Sequence, residues 1–357
     1  MNNTILHVGS SEFEFNGLTL HENQYIDIQN LSIIGRSGSG VTYFLKHLSN
    51  QLPTKYNARC IIIDTNDEYI SNFDKHPEWD SDNANIIDLS YRRGDTFIDI
   101  LAPLYPDESN EEIAERVVNN IALDTKYGYR MEKHLYDAII TILCNNDPDP
   151  NNIFKLIDLL KNDKNPSSKR VADRLNHMLS DDSYFNPSRR KPISWIRGIA
   201  GTSIINIGNP YTFYNAKYHR ILMRFLLDSI RYEYKNTIFP VVLVLDNYHL
   251  FHTNKCDNDI ALFLDHTNNT NIYTWIGSKF INDIDDIRDY HDALYFYSGL
   301  PFYDDKSIDI ACHNLNLYRS NENYIKYLNM ISYCNRGEFA CNICGDIGII
   351  CVDSEIK

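Results

Sequence analysis

The sequence predicts an α/β fold: a mainly parallel sheet covered by helices, interrupted by a helical insertion and closed by a C-terminal β-hairpin. Three observations predict it. Short apolar runs alternate with segments of helical spacing in the first and last thirds of the chain. The middle, from Asn110 to Asp182, carries only three- and four-residue apolar spacing. Near the end, two apolar runs flank Gly345-Asp346, a hairpin turn signal.

Taken in order, Leu18 to Ile28 alternates loosely and reads as β-structure. Leu31 to Ile34 is a short buried-strand run that ends in the glycine-rich stretch Gly35 to Thr42. Tyr43 to Leu52 follows with Phe44, Leu45, Leu48 and Leu52 on one helical face. Cys60 to Ile63, ending at Asp64, and Asn85 to Leu89 are further strands. Four helices are expected at Glu111–Leu123, Met131–Cys144, Ile153–Leu160 and Lys169–Leu179, with Asp149 or Asn151 capping the third and Ser167 or Ser168 the fourth. Thr202 to Ile207 resumes the strands and Tyr218 to Tyr234 is a long amphipathic helix. Val241 to Leu245 is the most apolar run of the chain. Asn271–Ile276 and Ala293–Tyr297 are strands, Asn323–Ser332 a helix, and Glu338–Cys344 with Ile347–Val352 the hairpin. Residues 1–105 and 196–357 thus form two parts of one core, and 106–195 a helical insertion.

The chain has 357 residues, 43% of them hydrophobic, enough for a large buried core. Its net charge of -14 argues against holding nucleic acid over the whole surface, so any such contact is local, for example through loops around a channel. The N-terminal residues carry no basic segment followed by an apolar run, and no stretch has the length and apolarity of a membrane span. The expectation is a cytoplasmic protein whose 8 cysteines are reduced.

Residues 35 to 42 read GRSGSGVT, close to the phosphate-loop pattern G-x-x-x-x-G-K-[ST]. Gly35, Gly40 and Thr42 fit, with Ser37, Gly38 and Ser39 between them, and Val41 stands where the lysine belongs. Glycines let the backbone wrap a phosphate at the positive end of a helix, and Thr42 offers a hydroxyl to Mg²⁺. Read alone, such a loop often binds nothing; its place between an apolar strand and a helix favours phosphate. The missing lysine would neutralise the β- and γ-phosphates of ATP, so its loss affects hydrolysis more than fold. The string VVLVLD, Val241 to Asp246, suits the strand whose terminal Asp holds Mg²⁺; the next residue, often a catalytic Glu, is Asn247, whose amide accepts no proton.

GRSGSGVT, CIIIDTNDEY at Cys60 to Tyr69 and VVLVLDNYHLF at Val241 to Phe251 together resemble the HerA/FtsK superfamily of DNA-pumping ATPases. Asp64, Glu68 and Tyr69 match that family's second strand and turn; Asp246, His249 and Leu250 match the region after its metal-binding strand, and Asn247 and Tyr248 depart. A late strand usually ends in a γ-phosphate-sensing Gln; the aligned pair here is Ser278-Lys279. Cys334 to Phe339 resembles the closing Gly-Glu segment.

The resemblance implies a RecA-like P-loop NTPase core that binds ATP and Mg²⁺. It further implies a homo- or hetero-oligomeric, hexamer-type ring with DNA contacted through pore loops, in which a subunit of weak hydrolysis would be paired with an intact ATPase paralogue. Phosphate contacts fall to Gly35, Ser37, Gly38, Ser39, Gly40, Val41 and Thr42, with Glu68 nearby; metal to Thr42 and Asp246; catalysis to Asp246, Asn247 and Lys279. With Val41, Asn247 and Lys279 all departing, a pseudo-ATPase with weak or absent hydrolysis is the first expectation. An active translocase with its lysine relocated to Lys279 is the second, and a structural ring subunit without nucleotide the third. Lys46 is expected to point away from the loop, more than a turn into its helix, and Arg36 to lie on the loop's outer arc.

Two other patterns have duller readings. Cys334, Cys341, Cys344 and Cys351 are spaced C-x6-C-x2-C-x6-C; with one C-x2-C knuckle they read as buried hairpin cysteines rather than a zinc ribbon. Arg189-Arg190-Lys191, with Trp195 and Arg197, reads as a solvated basic loop in preference to a DNA contact.

Overall fold

The computed structural model describes residues 5–15, 18–70, 84–90, 94–125, 127–179, 184–188, 191–193, 201–209, 218–253, 256–300, 305–317, 324–343 and 346–352. Its elements are β1 (Ile5–Phe15), β2 (Leu18–Asp27), β3 (Leu31–Gly35), α1 (Val41–Tyr56), β4 (Arg59–Asp64), β5 (Ala84–Asp88) and β6 (Thr96–Phe97). Then come α2 (Asn110–Thr125), α3 (Tyr129–Asn145), α4 (Asn152–Asn162), α5 (Pro166–Met178), β7 (Lys191–Pro192), β8 (Thr202–Asn206) and α6 (His219–Tyr234). The chain finishes with β9 (Val241–Leu245), α7 (His249–Thr253), α8 (Asp257–Thr267), β10 (Ile272–Ser278), a 3-10 segment (Ile281–Tyr290), β11 (Leu294–Ser298), α9 (Asp305–Asn314), α10 (Tyr324–Tyr333), β12 (Glu338–Ile343) and β13 (Asp346–Cys351).

Two compact units divide the chain. The first comprises Met1–Asn85, Gly198–Ile204 and Asn236–Lys357. Its sheet runs in the order β2-β1-β13-β12-β11-β3-β10-β9-β4 and on into β8. From β11 to β4 every pair is parallel. The four strands on the other side are antiparallel to their neighbours. Strands β3, β9 and most of β4 are buried at every residue, as strands covered on both faces are. One strand, β10, separates β3 from β9 and pairs parallel to both, in register Ser278 with Ile34 and Ile276 with Leu245. The core gathers Ile33, Phe44, Leu48, Ile62, Val244, Trp275, Phe296 and Phe339. Phe44 meets the ring of Phe296 edge-on at 5.1 Å and that of Phe339 at 4.8 Å, tying α1 to β11 and the closing hairpin.

The second unit comprises Ile86–Arg197 and Ile205–Lys235, so the expected insertion at 106–195 lies within it, with α6 and the end of β5 beside that insertion. Helices α2 to α5 each bury one apolar face, such as Leu135, Ile139 and Ile142 of α3. Arg116 of α2 is buried against Glu108 at 2.8 Å and donates to the Ala102 carbonyl at 2.9 Å. The fourth insertion helix is capped by Asn165, whose side chain accepts from the Ser167 N–H, with Pro166 in the first turn. This corrects the expected Ser167 or Ser168 cap: Pro166 supplies the pre-set φ of a first helical residue, which moves the start back.

The elements that sequence periodicity did not announce are β1, β6, β7, α7, α8, the 3-10 segment and α9. Cys334 and Cys341 are buried and Cys351 is partly buried, in keeping with the hairpin reading; Cys344 and Gly345 lie outside the described residues. Lys191 is exposed in β7, and Arg189, Arg190, Trp195 and Arg197 also lie outside the described residues.

Two buried histidines, one in each unit, make the fold sensitive to acid. Burial holds His219 at about 3 and His291 at about 4, below the ordinary imidazole value. The unfolded chain therefore takes up these protons first as pH falls. The stability they leave intact above about 6.5 is lost as pH drops through that value to about 4, on the order of 3 kcal/mol apiece. Urea midpoints measured from pH 7 to pH 4 are expected to fall in this window, and His291→Gln to flatten the curve; a variant with the native slope would show that His291 does not set it.

Candidate functional site

The parallel strands end along one edge, and the loops that leave them form a single wall. Ser298 stands opposite Gly35, Ser278 opposite Ile34, and Leu245 opposite both Ile276 and Ile63. In open α/β sheets this carboxyl edge is where ligands sit.

Gly35 to Gly40 links β3 to α1. Gly38 and Gly40 adopt left-handed φ values of 83° and 103°, which side chains rarely tolerate. Gly35 is needed for a different reason: a Cβ there would fall 2.3 Å from Ser39 Oγ and 3.1 Å from the Ser298 carbonyl. The loop is held from outside as well. Arg36 N–H donates to the Ser298 carbonyl at 3.2 Å, and Gly337 N–H to the Ser39 carbonyl at 2.8 Å. Helix α1 starts at Val41 with no side-chain cap and no acidic residue in its first turn. Its leading amides thus keep the partial positive charge of an open helix N-terminus.

In front of this terminus lies a cavity of about 340 Å³, whose walls include Gly35 to Gly38, Gly40 to Thr42, Glu68, Asp246, Asn247 and Lys279. The sequence-derived site residues therefore converge, with one correction. Ser39 is 3% exposed and is not in the wall. Its hydroxyl turns into the loop beside Gly35, without a hydrogen-bond partner among the described residues. Val41 reaches the wall, but its methyls also pack between strands: a Cβ on Gly35 or on Gly277 would meet them at 3.1 and 3.0 Å.

The acidic side of the cavity is built by Asp64. Its carboxylate accepts backbone N–H bonds from Asn66 at 3.1 Å, Glu68 at 3.2 Å, Tyr69 at 3.0 Å and Ile70 at 3.3 Å. This cage explains why an Asp ends β4: it folds the next six residues into a turn that delivers Glu68 and Tyr69. Burial raises the Asp64 pKa while the four amides oppose the shift. Thr42 Oγ1 donates to Glu68 Oε2 at 3.1 Å. Tyr69 Oη donates to Asp246 Oδ2 at 3.1 Å, and Asn247 N–H to Asp246 Oδ1 at 2.7 Å. Asp246 is held at about 6, raised by burial and by Glu68, and lowered by hydrogen bonds from Thr42, Asn247 and Tyr69. Asn247 has a φ of 58°, a conformation Asn tolerates better than most residues.

Three contributors were missed or misplaced by sequence reasoning. Lys46 lines the cavity, contrary to the expectation that it points away; four residues after Thr42, it shares that residue's helix face, and this spacing was the available signal. Tyr69 matched a motif, yet its hydroxyl contact to Asp246 was not foreseen. Arg336 enters the wall from the turn before the hairpin, where Asn335 and Glu338 lock the backbone. Arg36 also lines the cavity while its side chain lies against Gly299. Beyond the cavity, His252 Nδ1 lies 3.2 Å from Asp257 Oδ2, and burial, then Lys279, holds His249 at about 4.

Residues 21–228 match the sequence model of the family described as "Helicase HerA, central domain". Among solved structures, VirB4 of Thermoanaerobacter pseudethanolicus superposes with a TM-score of 0.68 at 14% identity, covering 98% of this chain and 96% of that one. The bacterial conjugative coupling protein TrwBdeltaN70, in a trigonal form with sulphate, gives 0.64 at 14% identity, with 92% and 86% covered. Plasmid coupling protein TrwB in complex with ADP and Mg²⁺ gives 0.61 at 14% identity, with 92% and 85% covered. These likenesses are of fold, a RecA-like P-loop core. No sequence among curated proteins matches the chain.

Proposed function

The chain belongs to the HerA helicase central-domain family, and from that premise we propose that it is the nucleotide-binding subunit of a DNA-translocating or DNA-processing ring, with weak or absent ATP hydrolysis. The observation that carries the reading is the loop between β3 and α1. Gly38 and Gly40, at left-handed φ, aim an uncapped helix N-terminus at a cavity whose wall also holds Thr42 and Asp246. Oriented amides and a helix dipole suit the phosphates of ATP. The oxygens of Thr42, Asp246 and Glu68 suit a hard cation. Thr42 and Asp246 would hold Mg²⁺, which would supply charge neutralisation at the phosphate oxygens.

Each residue then has a role. The amides of the loop and of the first turn bind phosphate. Asp64 positions Glu68 and Tyr69, and Tyr69 orients Asp246. Asn247, in place of a carboxylate, offers no base to an attacking water. The net charge of -14 confines DNA contact to local elements such as pore loops. Among the described residues no helix is long and apolar enough to cross a membrane. An oligomer with an intact ATPase paralogue supplies the turnover that this site lacks.

A second reading has its own observation: Lys279 lines the same cavity from the end of β10, where it can act as a relocated lysine. Equilibrium binding of Mg-ATP tests both. Binding by the native chain is expected, and its absence would end the nucleotide reading. Lys279→Ala and Lys279→Gln are each expected to weaken affinity by about 1–3 kcal/mol if the lysine meets phosphate; unchanged affinity removes Lys279 from the site.

A further inference from the structure

The cavity already contains a fixed positive charge that its loop pattern does not include. Lys46 lies four residues after Thr42 in α1, on the same face. It is 9% exposed. Its ammonium donates to the Glu68 carbonyl at 2.7 Å and sits 4.8 Å from the centre of the Tyr69 ring. Tyr69 in turn holds Asp246, and Glu68 accepts from Thr42. The lysine is therefore locked by a carbonyl and an aromatic face, inside the cluster that would otherwise recruit a metal.

Charge balance gives this placement a consequence. Ionised Asp246 and Glu68 carry two negative charges at the wall, and an ammonium beside them cancels one. A divalent ion is drawn by uncompensated negative charge, so a resident ammonium lowers the gain from recruiting it. Burial lowers the Lys46 pKa, while Glu68, Asp246 and Asp64 favour its charged form. At position 41 the loop itself carries valine.

Resting on the reading that this cavity binds a nucleotide, we propose that Lys46 is the resident cation of its acidic cluster, within walls that Arg36, Lys279 and Arg336 also line. Its ammonium supplies the charge compensation that a divalent ion would otherwise bring, so that a nucleoside di- or triphosphate binds without Mg²⁺. Mg²⁺ remains compatible with the oxygens of Thr42 and Asp246, but it is dispensable for affinity.

The test is isothermal titration of the full chain with ADP, in Mg²⁺ and in EDTA. Native protein is expected to bind in EDTA with an affinity within about threefold of that in Mg²⁺. Lys46→Met is expected to lose about tenfold or more in EDTA and to recover much of that in Mg²⁺. Lys46→Arg keeps the charge and is expected to retain metal-independent binding. A tenfold weakening of native binding in EDTA would overturn the proposal, as would a folded Lys46→Met variant that behaves like native protein in both media. The native comparison needs no variant, so a misfolded Lys46→Met protein leaves the proposal decidable. No ADP binding in either medium is a separate result: it removes the nucleotide reading and this proposal with it.

Discussion

Purified protein supplied with Mg-ATP is expected to release phosphate slowly or not at all, whereas the double variant Val41→Lys, Asn247→Glu gains turnover. Removing a group that stabilises charge in the transition state costs roughly 10²-fold or more, and two such groups are replaced here. Val41 brings no cation to the β- and γ-oxygens, and the Asn247 amide cannot accept a proton from the attacking water as a carboxylate can. The gain has structural limits. Val41 packs against Gly35 and Gly277, so a lysine must leave that contact and extend into the cavity. Position 247 has a φ of 58°, where Glu costs about 1–2 kcal/mol more than Asn. Phosphate release by the native protein and both single variants separates the contributions. Robust turnover by the native protein, abolished by Asp246→Ala, would overturn the weak-hydrolysis reading and point instead to a cation already in the wall.

Asp64→Ala is expected to produce the largest loss of stability among single changes at the site, about 3 kcal/mol or more in a urea midpoint. Asp64 is 2% exposed and its carboxylate satisfies four backbone amides. Alanine leaves those amides without their acceptor, and a buried orphaned donor costs about 1–3 kcal/mol. Asp64→Asn keeps one carbonyl oxygen and is expected to lose less. The same variants carry a functional readout. Release of the turn frees Glu68, Tyr69 and the carbonyl that Lys46 contacts, so nucleotide affinity falls along with stability. Native affinity in a destabilised Asp64→Ala protein would mean that the turn serves only the fold.

Much of the architecture was legible because its causes are local. Helix α1 shows its face through Phe44, Leu45, Leu48 and Leu52, all fully buried. The phosphate loop shows itself through glycines whose left-handed φ values few other residues adopt. Strand β9 is apolar at all five residues because it lies between two parallel strands and is buried on both faces. Strand β1 was not announced by its pattern: His7, Gly9, Ser10 and Ser11 interrupt any alternation, and a bulge shifts its register between His7 and Gly9. Helix α7 starts three residues after Asp246 and spans only five, too short for periodicity to register.

The sequence by itself determined the alternation of strands and helices on either side of the insertion, the loop that meets the first helix, the missing loop lysine and the Asp that follows β9. Those features depend on residues within a few positions of one another, where backbone sterics and side-chain period act directly. Only the tertiary structure decided which side chains share the cavity. It placed β10 between β3 and β9 and turned Ser39 inward against Gly35. It closed Asp64 around four amides and brought Lys46 to Glu68, and it carried Arg336 to the wall from the far end of the chain. The strand order, the Lys46 contact and the place of Arg336 rest on contacts between distant segments, whose geometry is set by packing and leaves no periodic trace in the sequence; the Ser39 and Asp64 contacts are local but depend on turn conformation, which side-chain period does not report.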